Sequence, residues 1–286
     1  MKRAIAAGLA ALALMSCSNN PGDFDLQGHR GARGEFTEES RQAFERALEV
    51  GVDTLELDVV MTADHVPAVW HDPIIEAEKC SGEYVGKPVR TLTFEQLQTL
   101  DCGKQLTDFP DASVVENNKI LQLDNVFKLA KDHEVRFNIE TKIEAEKPEL
   151  SAPPQEFVDA IVASADRFGR RDDIMIQSFD WSSLELVPEG IERVALYDST
   201  TFTPNSVWLG SATYDDGVVA AAQSVGATVL SPDYELVDQD LVNQTHAEGM
   251  KLIPWTVNDV DTARSLKKLG CDGIITDYPG KMSEAL

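Results

Sequence analysis

The sequence predicts an α/β fold, a closed (β/α)8 or TIM barrel, on three observations. Eight strand-like apolar runs alternate with amphipathic helical patterns, and such alternation is typical of parallel strands joined by helices. The length of 286 residues is ordinary for one barrel domain, which typically has about 250 residues. Polar side chains also collect where the strands end, at the face on which barrel enzymes carry their active sites.

The strands and helices follow one another along most of the chain. Apolar runs predict strands at about 24–28, 54–60, 135–141, 173–178, 192–197, 228–231, 251–256 and 272–276. Amphipathic patterns between most of them predict helices at 38–50, 123–133, 154–168, 181–186, 216–225, 236–248 and 259–269. No internal repeat or linker divides them, so we expect one domain.

One interval interrupts the alternation. Residues from about 73 to 118 show no strand–helix unit and contain Gly, Pro, many charged residues and two cysteines. Because they follow the C-terminal end of the second strand, we expect an insertion of roughly fifty residues over one mouth of the barrel. In an oxidising compartment a disulfide between Cys80 and Cys102 is the natural prediction. Cys271, in an apolar run, fits a buried small hydrophobe.

The N-terminus has the features of an export signal. A basic start precedes a short apolar run at 4–15, which is too short to span a bilayer. The run ends in Leu14-Met15-Ser16-Cys17, which resembles a bacterial lipoprotein signal. Residues 1–16 would then be removed as a signal peptide, and Cys17 would be the lipidation site of a periplasmic mature domain spanning 17–286. An ordinary secretory signal cut nearby is the alternative.

The composition limits the classes of partner. The formal net charge is −24, and 43% of the residues are hydrophobic, which is enough for a substantial core. A strongly acidic surface repels nucleic acids and anionic lipid headgroups. We therefore expect no nucleic-acid partner and contact with the membrane only through the lipid anchor. An anionic small-molecule substrate would have to be held by local cations, a bound metal ion included.

Two acidic residues stand inside the second predicted strand. Glu56 and Asp58 are two residues apart, so their side chains point to one face while the apolar residues beside them point to the other. Two like charges on one face of a buried strand are costly unless a cation lies between them. The pair therefore outlines a metal site, and it has a histidine on either side in sequence, His29 and His71.

Other predicted strand ends add polar and aromatic side chains. Glu140 and Lys142 are again two residues apart, at the end of the third strand. Arg30 directly follows His29, and Trp255 lies at the end of the seventh strand. Convergence of acids, imidazoles and amines at one rim is hard to explain by turn or capping roles alone.

Several motifs in order resemble those of the glycerophosphodiester phosphodiesterase family. They are His29-Arg30-Gly31-Ala32, the run 51–64, Val69-Trp70-His71-Asp72, Asn138-Ile139-Glu140-Thr141-Lys142, Trp255-Thr256-Val257-Asn258 and the run 273–279. The similarity extends from about residue 25 to 280, and the ordered set is more specific than any single motif.

The resemblance implies both a fold and a site. It implies a barrel in which a divalent metal ion, Ca²⁺ or Mg²⁺, is held by Glu56, Asp58 and Glu140. It also implies two catalytic histidines, His29 and His71. The chain departs from the family pattern at Thr37-Glu38-Glu39-Ser40, where relatives usually have Pro-Glu-Asn/His-Thr.

The departure bears on the metal site and on specificity. Glu38 keeps the acid of the family motif, and we expect it in or beside the shell of the metal. The residue that follows it differs, so we expect substrate specificity to differ from the best-known relatives.

These residue types suit phosphodiester chemistry. A phosphodiester is anionic, so Arg30 could grip a phosphoryl oxygen and Lys142 could add a positive charge for substrate binding. Trp255 either lines the pocket for the glycerol or alcohol moiety or packs in the core. Imidazole titrates near neutral pH, so His29 is assigned as base and His71 as acid. The products would be glycerol 3-phosphate and an alcohol.

Two other functions are compatible with the barrel. A phospholipase C- or D-like lyase acting on intact lipid needs an apolar rim, whereas the stretch 73–115 is mostly polar. A binding lipoprotein without turnover has no need of an acid–base pair, so retention of both histidines favours an enzyme. The leaving alcohol and the oligomeric state are left open by the sequence.

Overall fold

A computed structural model describes residues 24–286. The predicted signal peptide at 1–16 and the predicted lipidation site Cys17 lie outside the described residues. Among residues 24–286, no helix combines the length and apolarity that crossing a membrane requires.

The described residues form ten strands and nine α-helices. The strands are β1 (Asp25–Gly28), β2 (Thr54–Met61), β3 (Pro67–Val69), β4 (Leu121–Gln122), β5 (Arg136–Thr141), β6 (Ile174–Ser178), β7 (Glu192–Tyr197), β8 (Val229–Pro232), β9 (Lys251–Leu252) and β10 (Gly273–Thr276). The helices are α1 (Arg41–Val50), α2 (Phe94–Leu97), α3 (Leu123–Leu129), α4 (Pro154–Phe168), α5 (Trp181–Leu184), α6 (Val218–Ser224), α7 (Gln239–Ala247), α8 (Val260–Leu269) and α9 (Pro279–Ala285).

Eight of the strands form a parallel barrel. Their order is β10-β1-β2-β5-β6-β7-β8-β9. The remaining side closes through backbone hydrogen bonds of 2.9 Å from Asp272 to Leu252 and from Ile275 to Pro254. The predicted α/β barrel is thereby confirmed. Strand β9 is shorter than predicted, because Pro254 has no N–H to donate to a ladder.

Helix α1 shows how local sequence sets the element boundaries. Ser40 caps it by accepting a hydrogen bond from the backbone N–H of Ala43, and Gly51 ends it in the left-handed region at φ 79°. The helix begins at Arg41, three residues later than predicted. Glu39 has φ 53°, which is incompatible with a helix, and its side chain turns into the barrel.

The chain between β2 and α3 packs largely on itself. Strand β3 runs antiparallel to β2, and β4 runs antiparallel to β3. A separate apolar cluster lies beneath this segment, including Trp70, Ile75, Leu97 and Leu100. Cys80 and Cys102 belong to this cluster and form a disulfide. This segment begins at the C-terminal end of β2, so it lies at the same face as the strand ends.

The barrel interior is layered. An apolar group fills its N-terminal end, made of Met175, Val194, Val229, Ile253 and Ile275. Buried amide side chains lie next, and carboxyl groups follow at the C-terminal end. A large apolar cluster lies between the outer strand faces and the helices. The fold thus concentrates buried polarity at one mouth of the barrel.

Candidate active site

Three buried carboxyl groups meet at the C-terminal end of the barrel. Glu56 and Asp58 lie on β2, and Glu140 lies on β5 as the register partner of Asp58. One carboxylate oxygen from each lies within 4.8 Å of those of the other two. Their exposed fractions are 2%, 1% and 7%. The structure therefore brings together the three acids that the sequence assigns to a metal ion.

Glu56 is held on both carboxylate oxygens. Its Oε2 accepts a hydrogen bond from the backbone N–H of Arg30 at 2.9 Å, and its Oε1 accepts one from Gln177 Nε2 at 2.6 Å. Asn138 Nδ2 donates to the side-chain oxygens of Gln177 and Gln27, each at 2.9 Å. This row of amides across the barrel interior orients Glu56 from beneath.

The turn after β1 carries two of the predicted residues. Arg30 and Gly31 have φ values of 51° and 81°, in the left-handed region that favours glycine. A Cβ atom on Gly31 would lie 2.6 Å from the backbone carbon of Ala43 in α1, so only glycine fits there. The tight turn directs His29 and Arg30 toward the acids.

Two cations border the acidic cluster. Arg30 Nε lies 3.0 Å from Asp58 Oδ2, an ion pair whose angle does not make a hydrogen bond. Lys142 Nζ lies 2.7 Å from Glu140 Oε1 and 3.9 Å from Asp58 Oδ1. Both side chains are thus close enough to the acids to bind an anion that approaches them.

The cluster does not carry three full negative charges near neutral pH. Burial, together with the neighbouring carboxylates, raises the pKa of Glu56 well above its ordinary value. Burial likewise raises the pKa of Glu140 to about 7, against the opposing effect of Lys142. Burial also opposes ionisation of Asp58, but the neighbouring positive charges, with Arg30 the largest, together outweigh burial and lower the pKa of that carboxyl. Protons therefore occupy the cluster in the absence of a further cation.

A hard divalent cation fits this donor set. Ca²⁺ and Mg²⁺ prefer oxygen ligands, and three converging carboxyl groups supply them. Arg30 and Lys142 provide only two positive charges for the three carboxyl groups. Arg30 is also paired with Glu38, whose Oε1 lies 3.2 Å from Arg30 Nη1, so there is charge left for a bound cation to balance. A divalent ion bound by Glu56, Asp58 and Glu140 would take the place of the protons.

Both predicted catalytic histidines contact a carboxylate through Nδ1. His29 Nδ1 lies 2.6 Å from Asp277 Oδ1, and His71 Nδ1 lies 2.7 Å from Asp72 Oδ1. Each pairing leaves Nε2 for other partners, and His29 Nε2 is 3.9 Å from Glu56 Oε2. The side chains are 13% and 31% exposed, so His71 is the more open to solvent.

The resting histidines are neutral at pH 7. Burial lowers the pKa of His29, although Asp277 opposes the effect. Burial lowers the pKa of His71 well below its usual range, and the positive charges of Lys142 and Arg30 add to it. An anion bound beside these cations would raise the pKa of His71, because a negative charge stabilises imidazolium.

Glu38 lies beside Arg30 and pairs with three cations. It accepts hydrogen bonds from Arg30 Nη1 at 3.2 Å and from Arg33 Nε at 2.5 Å, and it pairs with Lys79 Nζ at 2.8 Å. Burial is outweighed by these cations, so the pKa of Glu38 is held well below its usual range. Arg30 thus stands between Glu38 and Asp58.

Glu39 directly follows Glu38 and contacts the backbone of β2. Its Oε1 accepts a hydrogen bond from the backbone N–H of Asp58 at 3.0 Å. Its Oε2 is buried without a hydrogen-bond partner. Burial and the nearby Asp58 carboxylate raise the pKa of Glu39 well above its usual range, so this side chain is protonated. In that form it supports the backbone of β2 without adding charge.

An aromatic wall borders the cluster. It consists of Trp255, Phe179 and Trp208, all half-buried. Trp255 packs edge-to-face on Phe179 at 5.4 Å, and its Nε1 donates to the carbonyl of Ser231 at 3.0 Å. Lys142 Nζ lies 5.9 Å from the centre of the Phe179 ring. The hydrogen bond to Ser231 therefore fixes the indole of Trp255 on the barrel, and the aromatic wall lies beside Lys142.

The sequence did not assign roles to Asp277, Asp72 or Lys79. Asp277 lies in the motif at 273–279 without a role of its own, although barrel closure places it next to His29 in space. Asp72 directly follows His71, so its proximity was available as a signal. Lys79 gave no signal except its position before Cys80 in a stretch without predicted structure.

Comparison with known proteins identifies relatives over most of the chain. The model of the glycerophosphoryl diester phosphodiesterase family matches residues 29–281. A glycerophosphodiester phosphodiesterase of Caldanaerobacter subterraneus subsp. tengcongensis is 28% identical over 254 residues, which cover 88% of this chain and 93% of the relative.

Solved structures share the same architecture. A structure from Silicibacter pomeroyi, named as a candidate glycerophosphoryl diester phosphodiesterase, is 26% identical with a TM-score of 0.81 and covers 92% of this chain and 93% of that chain. An Oleispira antarctica phosphodiesterase in complex with the product sn-glycerol-3-phosphate is 19% identical with a TM-score of 0.72, over 91% and 96% of the two chains. The latter likeness shows the fold.

The pKa shifts make a prediction for metal-dependent stability. Glu56 and Glu140 have folded-state pKa values raised above their unfolded values, so the stability that their protonated forms contribute is lost as pH rises. For Glu140 this loss occurs as pH rises through about 7. We therefore expect Ca²⁺ or Mg²⁺ added after chelator treatment to raise the melting temperature more at pH 8 than at pH 5.5. At an ion concentration 100 times the dissociation constant, the rise should be about 5–10 °C.

Differential scanning fluorimetry measures this shift, and Glu140→Gln is the control for cations held nonspecifically by the acidic surface. The variant should lose most of the ion-induced shift at pH 8. Equal shifts at both pH values, or an undiminished shift in the variant, would contradict a metal site at these acids.

Proposed function

This chain belongs to the glycerophosphoryl diester phosphodiesterase family, which confirms the resemblance in its motifs, and on that premise we propose that it hydrolyses glycerophosphodiesters to glycerol 3-phosphate and an alcohol. The observation that carries the proposal is the buried triad of Glu56, Asp58 and Glu140 flanked by His29 and His71. The sn-glycerol-3-phosphate in the Oleispira antarctica enzyme is a product of the same reaction class.

We propose Ca²⁺ or Mg²⁺ as the ion held by the triad. When bound, a divalent ion offsets part of the charge of a phosphodiester and polarises its phosphoryl oxygens. Arg30 and Lys142 would add to this effect from the protein side. Arg30 Nε and Nη1 face Asp58 and Glu38, so we assign its Nη2 to a phosphoryl oxygen.

The two histidines divide the proton transfers. His29 accepts the proton of the neighbouring glycerol hydroxyl as its oxygen bonds to phosphorus, and Asp277 stabilises the imidazolium that forms. His71, which takes up a proton from solvent once the anionic substrate is bound, donates that proton to the alcohol oxygen as its bond to phosphorus breaks. The more open position of His71 suits contact with an alcohol that leaves toward solvent. The negative charge of the bound substrate offsets the positive charges of Lys142 and Arg30, which otherwise lower the pKa of His71. It thereby favours the protonated form that this role requires.

The first step leaves a cyclic phosphate, which water then opens. In that second step the roles reverse: His71 accepts a proton from water, and His29 returns its proton to the glycerol oxygen. The products are glycerol 3-phosphate and the alcohol, and both histidines regain their starting state. Choline and ethanolamine are examples of the alcohol. Trp255 and Phe179 would line the pocket for the organic part of the substrate.

Replacing either catalytic histidine tests this scheme. We expect His29→Ala and His71→Ala each to lower turnover of glycerophosphocholine at least about 100-fold, because general acid–base catalysis contributes at least that much. The measurement is coupled detection of glycerol 3-phosphate, with and without chelator. His65→Ala is the matched control, since His65 is 74% exposed and pairs with Glu156 away from the triad.

Turnover of both variants near the wild-type rate would show that the two-histidine scheme is wrong. If the wild type released glycerol 3-phosphate equally well in the presence of chelator, the proposed metal dependence would be wrong. Release of product from phosphatidylcholine vesicles, and not from glycerophosphocholine, would favour the phospholipase-like alternative.

We further propose that the protein is a periplasmic lipoprotein anchored through Cys17. The lipoprotein-like ending of the N-terminal apolar run supports this proposal, and the Cys80–Cys102 disulfide suits an oxidising compartment. In bacterial cells, we expect the wild-type chain in the membrane fraction and Cys17→Ala outside it.

Cys271→Ala, which removes the buried free cysteine, should remain in the membrane fraction. An unmodified mature N-terminus, or equal distribution of the wild type and Cys17→Ala, would contradict the anchor.

A further inference from the structure

Lys79 connects two parts of the active site that the strands hold separately. Its Nζ lies 2.8 Å from Glu38 Oε1 and also contacts Asp72 Oδ2. Asp72 holds His71 through Nδ1, and Glu38 holds Arg30 through Nη1. The ammonium group of Lys79 therefore contacts two carboxylates. One of them contacts His71, and the other contacts Arg30.

The surroundings of Lys79 make this contact a fixed one. Its side chain is 12% exposed, and its Nζ lies 5.4 Å from the centre of the Trp70 ring, which covers one side. Burial by itself would lower the lysine pKa, but Glu38 and Asp72 raise it above its ordinary value. Lys79 thus stays charged while it is largely removed from water, which makes its two ion pairs stronger than exposed pairs.

The backbone at Lys79 is clamped to a neighbouring strand-like segment. Cys80 forms the disulfide with Cys102, and Ser81 exchanges backbone hydrogen bonds of 2.7 and 3.0 Å with Asp101. The backbone N–H of Lys104 donates to the carbonyl of Lys79 at 3.3 Å. These contacts restrict the position of the Lys79 backbone, and therefore the region that its side chain can reach.

The same segment is attached to the turn that carries Arg30. The backbone N–H of Ser113 donates to Glu35, and that of Thr37 donates to Ser113, at 2.9 and 3.1 Å. Val115 N–H adds a bond of 2.9 Å to the Thr37 hydroxyl. The segment that supplies Lys79 is therefore anchored on the β1–α1 connection as well as on β2.

We propose that Lys79 is a positioning residue for the hydrolysis, which bridges Asp72 and Glu38 so that His71 and Arg30 keep a fixed separation. The inference rests on the proposed function, since it assigns His71 to the proton and Arg30 to the phosphoryl group. The Cys80–Cys102 crosslink is the part of the chain that holds Lys79 in reach of both carboxylates.

A merely structural role for Lys79 makes a different prediction. If the lysine only neutralised two buried carboxylates, its removal would lower the melting temperature and leave kcat unchanged. If Lys79 positions His71, its removal should lower kcat and leave KM nearly unchanged, because a misplaced His71 impairs the chemical step more than substrate binding. A positioning role also allows Arg at this position to restore activity, since Arg can contact both carboxylates.

We expect Lys79→Met to lower kcat about 10–100-fold, as is seen when an outer contact of a metal ligand is removed, with KM within about threefold. Lys79→Arg should retain more of the wild-type kcat than Lys79→Met, because its guanidinium keeps a positive charge that can contact both carboxylates. Lys104→Met is the matched control: Lys104 lies in the same segment, and its Nζ contacts the carbonyl of Ala77. Its kcat should not change.

The crosslink is tested in the same assay. In the wild-type background, the double variant Cys80→Ser/Cys102→Ser should lower kcat. In the Lys79→Met background the same double variant should lower kcat less, because the disulfide then has no lysine to hold in place. Equal effects in both backgrounds would show that the disulfide does not act through Lys79.

Nitrogen-15 NMR of histidine-labelled protein gives a readout independent of turnover. The Nδ1–H signal of His71, assigned with His71→Ala, should shift or broaden in Lys79→Met and stay unchanged in Lys104→Met. An unchanged signal together with unchanged kcat overturns the Lys79 inference. A wild type without glycerol 3-phosphate release overturns the proposed function instead, and the NMR comparison still decides whether Lys79 positions His71.

Discussion

The burial of three neighbouring carboxyl groups at one end of the barrel is the constraint on which the rest of the site depends. Glu56, Asp58 and Glu140 cannot all ionise there without cations, because both desolvation and mutual repulsion oppose it. Parallel strands with alternating side chains bring them together, and the amide layer beneath them fixes their orientation. A barrel built for stability alone would fill these positions with apolar residues.

The groups around the acids respond to that charge. Arg30 and Lys142 border the triad directly, whereas Glu38 and Lys79 form an outer layer of alternating charge. Each histidine has its own carboxylate at Nδ1, which fixes the ring and leaves Nε2 for the reaction. In the proposed reaction, the cations attract a phosphodiester and the two imidazoles transfer protons at its ester oxygens.

Local patterns in the sequence predicted the barrel and the acidic pair on its second strand, whereas the roles of His29, His71 and Glu140 were implied by the family resemblance. The i, i+2 spacing of Glu56 and Asp58 places them on one face of a strand, whatever the tertiary fold. Contacts that cross the barrel were harder to predict: Asp277 meets His29 only after the first and last strands pair. Lys79 lies in a stretch without periodicity, so its contacts depend on how the segment folds over the rim.

Crystals grown in calcium chloride would test the central claim most directly. We expect anomalous density for one ion within about 2.3–2.6 Å of a carboxylate oxygen from each of Glu56, Asp58 and Glu140, because calcium binds oxygen ligands at that distance. Density for calcium only at other acidic positions, with the three acids contacting Lys142 and Arg30 alone, would contradict a metal site at the mouth of the barrel.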